Sequence, residues 1–329
     1  MKVISSLLFA VLALAACVGR SLPPDDSLQF GRNSEFDGRK LRFFLTLEDG
    51  TAVSVNTADD VIESQPGETP MPGHRAQALT FLKETDEGTS VAYALLSWDP
   101  DNPADYLAFG WWTQFPDQHP PNLSFRGSEQ YSIVDGTEID HAIPVQLPGA
   151  GTATYSGQAG GLYAYLFGSD WGEDEGGVVV DEYQGTLTLT VDFADGTVKG
   201  CIGCVGDLVT QRAHFGVFLG EEPRDTQGLA RDYELHLASA IIGEDGTFER
   251  DRVTLRHPER TITLSEGSWG GLLSRRQDTD GAPRLVAGFS SVEFRESDGS
   301  EGEFVGSLLG LSDTFRQNGT SGPLPGSDR

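Results

Sequence analysis

The alternation of apolar and polar side chains over residues 185–193 constrains the fold of this chain more than any other feature. Its leucines, Val191 and Phe193 point to one side of an extended chain, and its threonines and Asp192 point to the other. A period of two is typical of a β-strand with one buried face. The Ala-Asp-Gly sequence that follows predicts a turn, and residues 197–202 predict the partner strand.

The second half of the chain, from about Ala150, carries further strand candidates of this kind. They lie at residues 152–158, 162–167, 232–242, 268–274, 285–294 and 303–309. With the first pair they make eight strands, a number that closes a small barrel without an edge and fills it with side chains. Glycines within these segments suit the kinks of barrel strands.

The first half of the chain also has the pattern of strands. Asp49-Gly50 lies between alternating runs at residues 41–47 and 51–55, which is typical of a hairpin. Further strands are predicted at residues 91–98 and 106–115. Residues 76–83 fit either a short helix or a strand, and a strand is favoured. The 41 glycines and 17 prolines favour many turns and short elements, and no long helix is predicted.

The N-terminus carries an export signal. Lys2 precedes an apolar run at residues 3–16, which is shorter than the roughly 20 residues of a membrane span. The run ends in Leu-Ala-Ala-Cys17, which resembles the lipobox of bacterial lipoproteins. The resemblance implies cleavage before Cys17, acylation of Cys17 with fatty acids such as palmitate, and a lipid anchor. Val18 resembles the pattern of lipoproteins sorted to an outer membrane, and an ordinary signal peptide with a chance cysteine is the alternative.

Cys201 and Cys204 form a CxxC pair between glycines, and several interpretations are open. A redox motif needs a helix after the first cysteine, a zinc site needs further ligands, and a disulfide needs an oxidising compartment. The glycines disfavour a helix, no second CxxC occurs, and the nearest histidine in sequence is His214. An exported chain favours a disulfide between Cys201 and Cys204, with two free thiols as the alternative.

The order of several short motifs resembles the β-barrel domain of transferrin-binding protein B. Residues 151–160 resemble its G-x-A-x-Y-x-G opening, and residues 187–200 resemble one of its hairpins. Residues 267–271, 286–289 and 302–306 resemble its closing strands, and residues 99–112 resemble a segment ahead of the barrel in single-lobe relatives. The resemblance covers about the second half of the chain, with the upstream segment added.

This resemblance implies a surface lipoprotein in which a small handle domain precedes the barrel. Such proteins capture a host or secreted protein, or sometimes haem, through their loops. The chain has room for one lobe, whereas the transferrin receptor has two. Residues 306–311 also depart from the family's Phe-Tyr-Gly-Pro type of ending. Transferrin binding is therefore not inferred, and no ligand-contact residue is carried over.

The predicted fold class is all-β, with a small β-rich handle-like domain followed by an eight-stranded antiparallel β-barrel. The predicted segments are a signal peptide at 1–16, a lipidated tether at 17–29, the handle-like domain at 30–148, the barrel at 149–315 and a disordered tail at 316–329. A chain of 329 residues is long enough for two ordinary domains.

The net charge of −27 excludes nucleic acid as a partner, because such a surface repels phosphate, and it suits a basic partner. No GxSxG, Walker loop or GxGxxG motif after a strand occurs. No histidine lies in an HExxH motif or four residues from another; the six are His74, His119, His141, His214, His236 and His257. His236 alternates with leucines, so it is expected to be a solvent-facing or satisfied polar residue and not a ligand. No catalytic residue, cofactor or metal site is predicted.

Two acidic segments and a tryptophan pair remain candidates for binding. The acidic turn at residues 99–105 has oxygen ligands of the calcium-binding type, but its prolines favour a solvated turn. Residues 170–175 are predicted as an acidic barrel loop able to attract a basic partner. Trp111 and Trp112 point opposite ways from a strand, so one is either an exposed anchor or buried against the other domain.

The sequence thus predicts an outer-membrane-anchored surface lipoprotein that binds a protein or a small solute through barrel loops, without catalysis. Its partners are the membrane, through Cys17, and a ligand whose identity the sequence does not give. A structural envelope lipoprotein without a dedicated ligand is the alternative. An enzyme with a carboxylate pair is a third hypothesis, which the abundance of acidic residues does not by itself support.

Overall fold

The computed structural model describes residues 34–47, 50–67, 71–120, 123, 128–139, 145–166, 178–212 and 232–321. Within these ranges the chain is all-β, and it consists of two small sheets followed by a closed eight-stranded antiparallel barrel. The predicted fold class is confirmed. Cys17, the tether and the acidic segment 170–175 lie outside the described residues, as do His141 and His214.

The two small sheets lie within residues 34–136. Sheet A has the strand order β1 (Ser34–Phe36), β2 (Leu41–Thr46) and β3 (Ala52–Asn56). Sheet B has the order β4 (Val61–Pro66), β5 (Arg75–Thr85), β6 (Gly88–Trp98), β7 (Tyr106–Pro116) and β8 (Glu129–Gly136). All pairs are antiparallel, and the strands predicted in this half appear as β2, β3, β5, β6 and β7.

The central strands β6 and β7 of sheet B are buried on both faces, whereas the edge strand β4 is largely exposed. One face packs on sheet A, where the ring centroids of Phe43 and Phe81 lie 5.8 Å apart. The other face packs on the outer wall of the barrel, where Trp111 contacts a cluster that includes Leu162 and Val180. The sheet therefore carries two cores, and it joins sheet A to the barrel.

Ten strands occupy the eight positions of the barrel wall. They are β9 (Thr152–Leu166), β10 (Val178–Asp192), β11 (Thr197–Ile202), β12 (Val209–Arg212), β13 (Glu234–Ile242), β14 (Thr247–Arg250), β15 (Val253–Arg256), β16 (Ile262–Leu273), β17 (Leu285–Glu296) and β18 (Glu301–Ser312). The ring runs β9, β10, β11, β13, β14, β16, β17, β18 and returns to β9. β12 occupies the same position as β11 and pairs with β10. β15 occupies the same position as β14 and pairs with β13.

The strand number of eight was predicted correctly, but two of its components were wrong. Residues 152–158 and 162–167 were predicted as two strands, whereas β9 is one continuous strand from Thr152 to Leu166. Because two predicted strands fall on β9, one position of the ring has no predicted strand. That position is occupied by β14 and β15. The two errors compensate each other in the count.

The interior of the barrel is filled mainly by aromatic rings and leucines. Tyr155, Tyr163, Tyr233, Trp269 and Phe304 are each fully buried. The ring centroids of Tyr163 and Phe304 lie 4.6 Å apart. Burial of this much aromatic surface is a large hydrophobic contribution to stability. The barrel is thus a packed core of the kind expected for eight strands.

Helix α1 (Asp313–Ser321) follows the last barrel strand directly. The side chain of Ser312 accepts a hydrogen bond from the backbone N–H of Phe315 at 3.1 Å, so Ser312 is the N-cap. Asp313 in the first turn suits the positive end of the helix dipole. The prediction of a disordered tail from residue 316 is therefore wrong over residues 316–321.

Candidate functional site

The wall of the barrel divides beyond Ile202. β10 pairs with β11 along residues 187–192 and with β12 along residues 181–184. β13 pairs with β11, but among the described residues it does not pair with β12. The CxxC segment lies at this point, where β11 ends and the chain turns towards β12.

The Cys-Ile-Gly-Cys segment leaves β11 in a tight turn closed by a disulfide. Cys201 is buried at the end of the strand, Cys204 is exposed, and their Cα atoms lie 5.9 Å apart. Gly203 has a φ of +82°, and a Cβ there would lie 2.7 Å from the carbonyl oxygen of Tyr233. Only glycine fits this position, both for the backbone angle and for the close approach. The described stretch 202–212 contains no helix, which separates this turn from helix-initiating redox motifs.

His236 lies across the strand pair from Cys201. The register of β11 and β13 places the two residues opposite each other. His236 Nε2 lies 3.8 Å from Cys204 Sγ and 2.8 Å from Glu234 Oε2. His236 thus has a polar partner, as expected, but it also lies next to both cysteines, which the sequence analysis did not foresee. Only the pairing of β11 with β13 brings His236 and the two cysteines together, so a correct alignment of these two strands could have predicted the contact.

A groove of about 400 Å³ opens beside the disulfide, and we call it the disulfide groove. It is lined by Gly203, Cys204, Gly206, Asp207, Asp232, Glu234, Arg256, His257 and Pro258. Three carboxylates face one guanidinium and one imidazole, so the lining is acidic overall. The residues come from the turn after β11, from the entry to β13 and from the end of β15. No sequence motif joins these three segments.

A hydrogen-bonded network closes the barrel interior next to the groove. Glu296, only 5% exposed, accepts hydrogen bonds from the hydroxyls of Tyr233 and Tyr165. Arg260 donates to the Tyr233 hydroxyl at 2.9 Å and lies 3.3 Å from Glu296 Oε1. Burial and the hydrogen bond to Glu296 raise the pKa of Tyr233 far above its usual range. The phenols stay protonated, and these groups satisfy one another instead of presenting a reactive atom.

The tryptophan pair and the acidic turn lie elsewhere. Trp111 and Trp112 are 2% and 1% exposed, on opposite faces of sheet B, so burial against the neighbouring layers replaces the exposed anchor. In the acidic turn, residues 100–102 are exposed, so the turn is solvated as expected. Its last residue, Asp105, is the exception, because it is 6% exposed and is bound by Thr137 and Arg276.

Among the residues that the structure describes, no helix has both the length and the apolar character needed to cross a membrane. Comparison of the chain with models of protein families gave no match. A search of curated proteins gave no match either.

Proposed function

We propose that this chain is a lipid-anchored, non-catalytic binding protein of the bacterial outer membrane that captures a ligand at the end of the barrel bearing the disulfide groove. The observation that carries the proposal is the contrast between a packed barrel interior and an open, polar groove at one end. A filled interior leaves the rim and its loops as the surface for recognition. The lipobox ending in Cys17 and the resemblance to transferrin-binding protein B support the anchor and the surface location.

The connections at this end suit a binding role. β9 ends at Leu166 opposite the start of β10 at Val178, and β12 ends at Arg212 opposite Asp181, so these strand ends lie at one end of the barrel. Binding residues are often carried by loops that a rigid scaffold positions. The barrel provides that scaffold, because its strands are closed into a ring and packed from inside.

The charge of the groove favours a protein ligand with a basic patch. Asp207, Asp232 and Glu234 lie together in a chain whose net charge is −27. Clefts with one sign of charge concentrate and steer partners of the opposite sign. Arg256 and His257 add donors for orientation on the same wall.

The location is tested by treating intact cells with a protease, with Cys17→Ala as the anchor control. Wild-type protein should be cleaved while periplasmic proteins survive, and the Cys17→Ala variant should leave the membrane fraction. Protection until the outer membrane is opened would refute the surface location. Membrane retention of Cys17→Ala would refute the anchor.

The binding end is tested by comparing proteins captured from the fluid that bathes the cells. The Asp207→Asn, Asp232→Asn double variant should lose a captured protein that wild type retains, and the loss should be mimicked by added salt. The matched control is Asp59→Asn with Asp101→Asn, which removes the same charge from exposed sites in the handle. If both variants lose the captured protein equally, capture depends on the overall negative charge of the chain and not on the groove. No capture by wild type would favour a structural envelope lipoprotein.

A further inference from the structure

We propose that Cys201, Cys204, His236 and Glu234 form a binding site for a thiophilic divalent metal ion, Zn²⁺ above all, once the disulfide is reduced. The proposal is independent of the ligand-binding function proposed above. It concerns a cluster of side chains whose members come from two neighbouring barrel strands and the turn between β11 and β12.

The distances suit one metal ion. The ligand atoms of Cys201, Cys204 and His236 all lie within 4.8 Å of one another. Zinc bound to sulfur and nitrogen at its usual distances gives a tetrahedron with edges of about 3.3–3.8 Å. The separation of 3.8 Å between Cys204 Sγ and His236 Nε2 is already of this size. Reduction lets the two bonded sulfur atoms of Cys201 and Cys204 separate to the length of a tetrahedral edge.

Glu234 supplies the fourth ligand. Its Oε2 lies 2.8 Å from His236 Nε2, on the same wall of the groove. Moving that oxygen outward by about half an ångström gives the tetrahedral edge to His236. Glu234 must also move towards the sulfur atoms, because its oxygens lie outside the group of ligand atoms within 4.8 Å of one another. Two thiolates, one imidazole and one carboxylate complete the coordination of Zn²⁺, and the two sulfur ligands favour it over the hard cations Ca²⁺ and Mg²⁺.

The strand register keeps the ligands together without the metal. Cys201 and His236 are opposed in the β11–β13 pair, and the turn at Gly203 returns Cys204 to the same spot. Cys204 is exposed and lines the disulfide groove, so a reductant and a metal ion both have access. The acidic lining of the groove raises the local concentration of cations.

Formation of the site requires a reductant, and we name a dithiol. The dithiol gives two electrons and two protons to the Cys201–Cys204 bond and becomes a disulfide itself. The S–S bond breaks, and each cysteine becomes a thiol. Zn²⁺ then displaces both thiol protons and binds the two thiolates. Disulfide and metal exclude each other, so the same two sulfur atoms respond either to an oxidant or to zinc.

The test is a titration of the purified full-length protein with Co²⁺, a spectroscopic substitute for Zn²⁺, before and after reduction. Reduced protein should bind one Co²⁺ with a thiolate-to-metal charge-transfer band and the visible bands of tetrahedral cobalt, and Zn²⁺ should displace it. Oxidised protein should show neither band. Absence of the charge-transfer band after reduction, or the same cobalt spectrum with and without reduction, would overturn the proposal.

Substitutions assign the ligands. His236→Gln and Glu234→Gln should each weaken Co²⁺ binding by about tenfold or more, a loss at least as large as that for an outer-shell partner. The matched control is His119→Gln, a histidine of the handle far from the cysteines in sequence, which should bind as wild type does. Circular dichroism of each oxidised variant verifies that it is folded. Unchanged affinity in folded His236→Gln would overturn the site.

Discussion

Inside the barrel, large aromatic side chains pack directly against glycines, which have no side chain of their own. A Cβ on Gly306 would lie 2.6 Å from the hydroxyl of Tyr183, and a Cβ on Gly310 would lie 3.2 Å from the Cβ of Tyr155. Each ring occupies volume that a neighbouring glycine leaves open. Well-packed interiors respond to the addition of even one methyl group, so these glycines are needed for packing as much as for backbone freedom.

Gly161 gives the clearest prediction at this scale. An added Cβ would lie 2.0 Å from the carbonyl oxygen of Val305 and 2.4 Å from the Cα of Gly306, both on the backbone of β18. Backbone atoms in a paired strand cannot rotate away as a side chain can. Gly161→Ala should therefore lower the free energy of unfolding by about 1–3 kcal/mol, the usual range for overpacking.

Denaturant unfolding of Gly161→Ala and Gly149→Ala provides the measurement. Within the described part of the chain, a Cβ added at Gly149 would meet no atom within 4 Å, and the φ of Gly149 is not positive. Gly149→Ala should therefore unfold as wild type does. Equal stability of the two variants would show that β9 and β18 separate easily at Gly161.

The sequence indicates which residues of one strand share a face. It indicates much less readily which residues of two strands are neighbours. Alternation correctly separates Trp111 from Trp112, because it depends on adjacent residues of one element. The contact of His236 with the cysteines depends on the register of β11 and β13, and this register shifts between Val198 and Gly200. A shift of one residue changes every later partner, and nothing in the local sequence announces it.

At the scale of elements, the strands that sequence analysis recognised are long or clearly alternating. The predicted division of β9 falls at residues 159–161, where Gly161 marks a close approach of β18 within one continuous strand. β14 and β15 are four residues each, so their alternation is too short to detect. Tertiary pairing, not local propensity, makes these segments strands.

The two cores of sheet B lead to a prediction for its tryptophans. Trp112 belongs to the core shared with sheet A, and Trp111 belongs to the core shared with the barrel. Truncation of a buried tryptophan costs about 3–5 kcal/mol. Trp112→Ala should loosen β2 and β3, whereas Trp111→Ala should loosen the contact between sheet B and the barrel and leave β2 and β3 protected.

Hydrogen exchange followed by mass spectrometry distinguishes the two variants. Peptides covering residues 41–56 should exchange faster in Trp112→Ala than in Trp111→Ala, and peptides covering β9 should show the reverse order. If both variants accelerate exchange equally in both regions, the sheets and the barrel unfold as one cooperative unit, and the assignment of separate cores fails.

At the scale of the whole molecule, buried phenols make stability depend on alkaline pH. Burial raises the pKa of Tyr106 to about 12 and raises the pKa values of Tyr155, Tyr163, Tyr183 and Tyr233 still further. In the unfolded chain these phenols ionise near pH 10. The unfolded state therefore binds fewer protons than the folded state above pH 10. The phenol contribution to stability is complete below that pH and is lost as the pH rises through the folded-state values.

We expect unfolding and tyrosine ionisation to occur together above pH 10. Ultraviolet absorbance of tyrosinate and far-ultraviolet circular dichroism should change in one step, because these buried phenols ionise only when the cores around them open. Tyr183→Phe should make the transition less steep, since one fewer proton is released. Ionisation of all eight tyrosines near pH 10 with the circular dichroism unchanged would contradict the prediction.

The uneven lengths of the barrel strands give the molecule a stiff side and a compliant side. β9 and β10 are 15 residues long and lie on the side that sheet B covers, whereas β15, whose Arg256 lines the disulfide groove, is four residues long. A load applied through a bound partner would deform the short ladders before the long ones. The rim can therefore yield to the shape of what it holds, while the side that sheet B braces keeps its form.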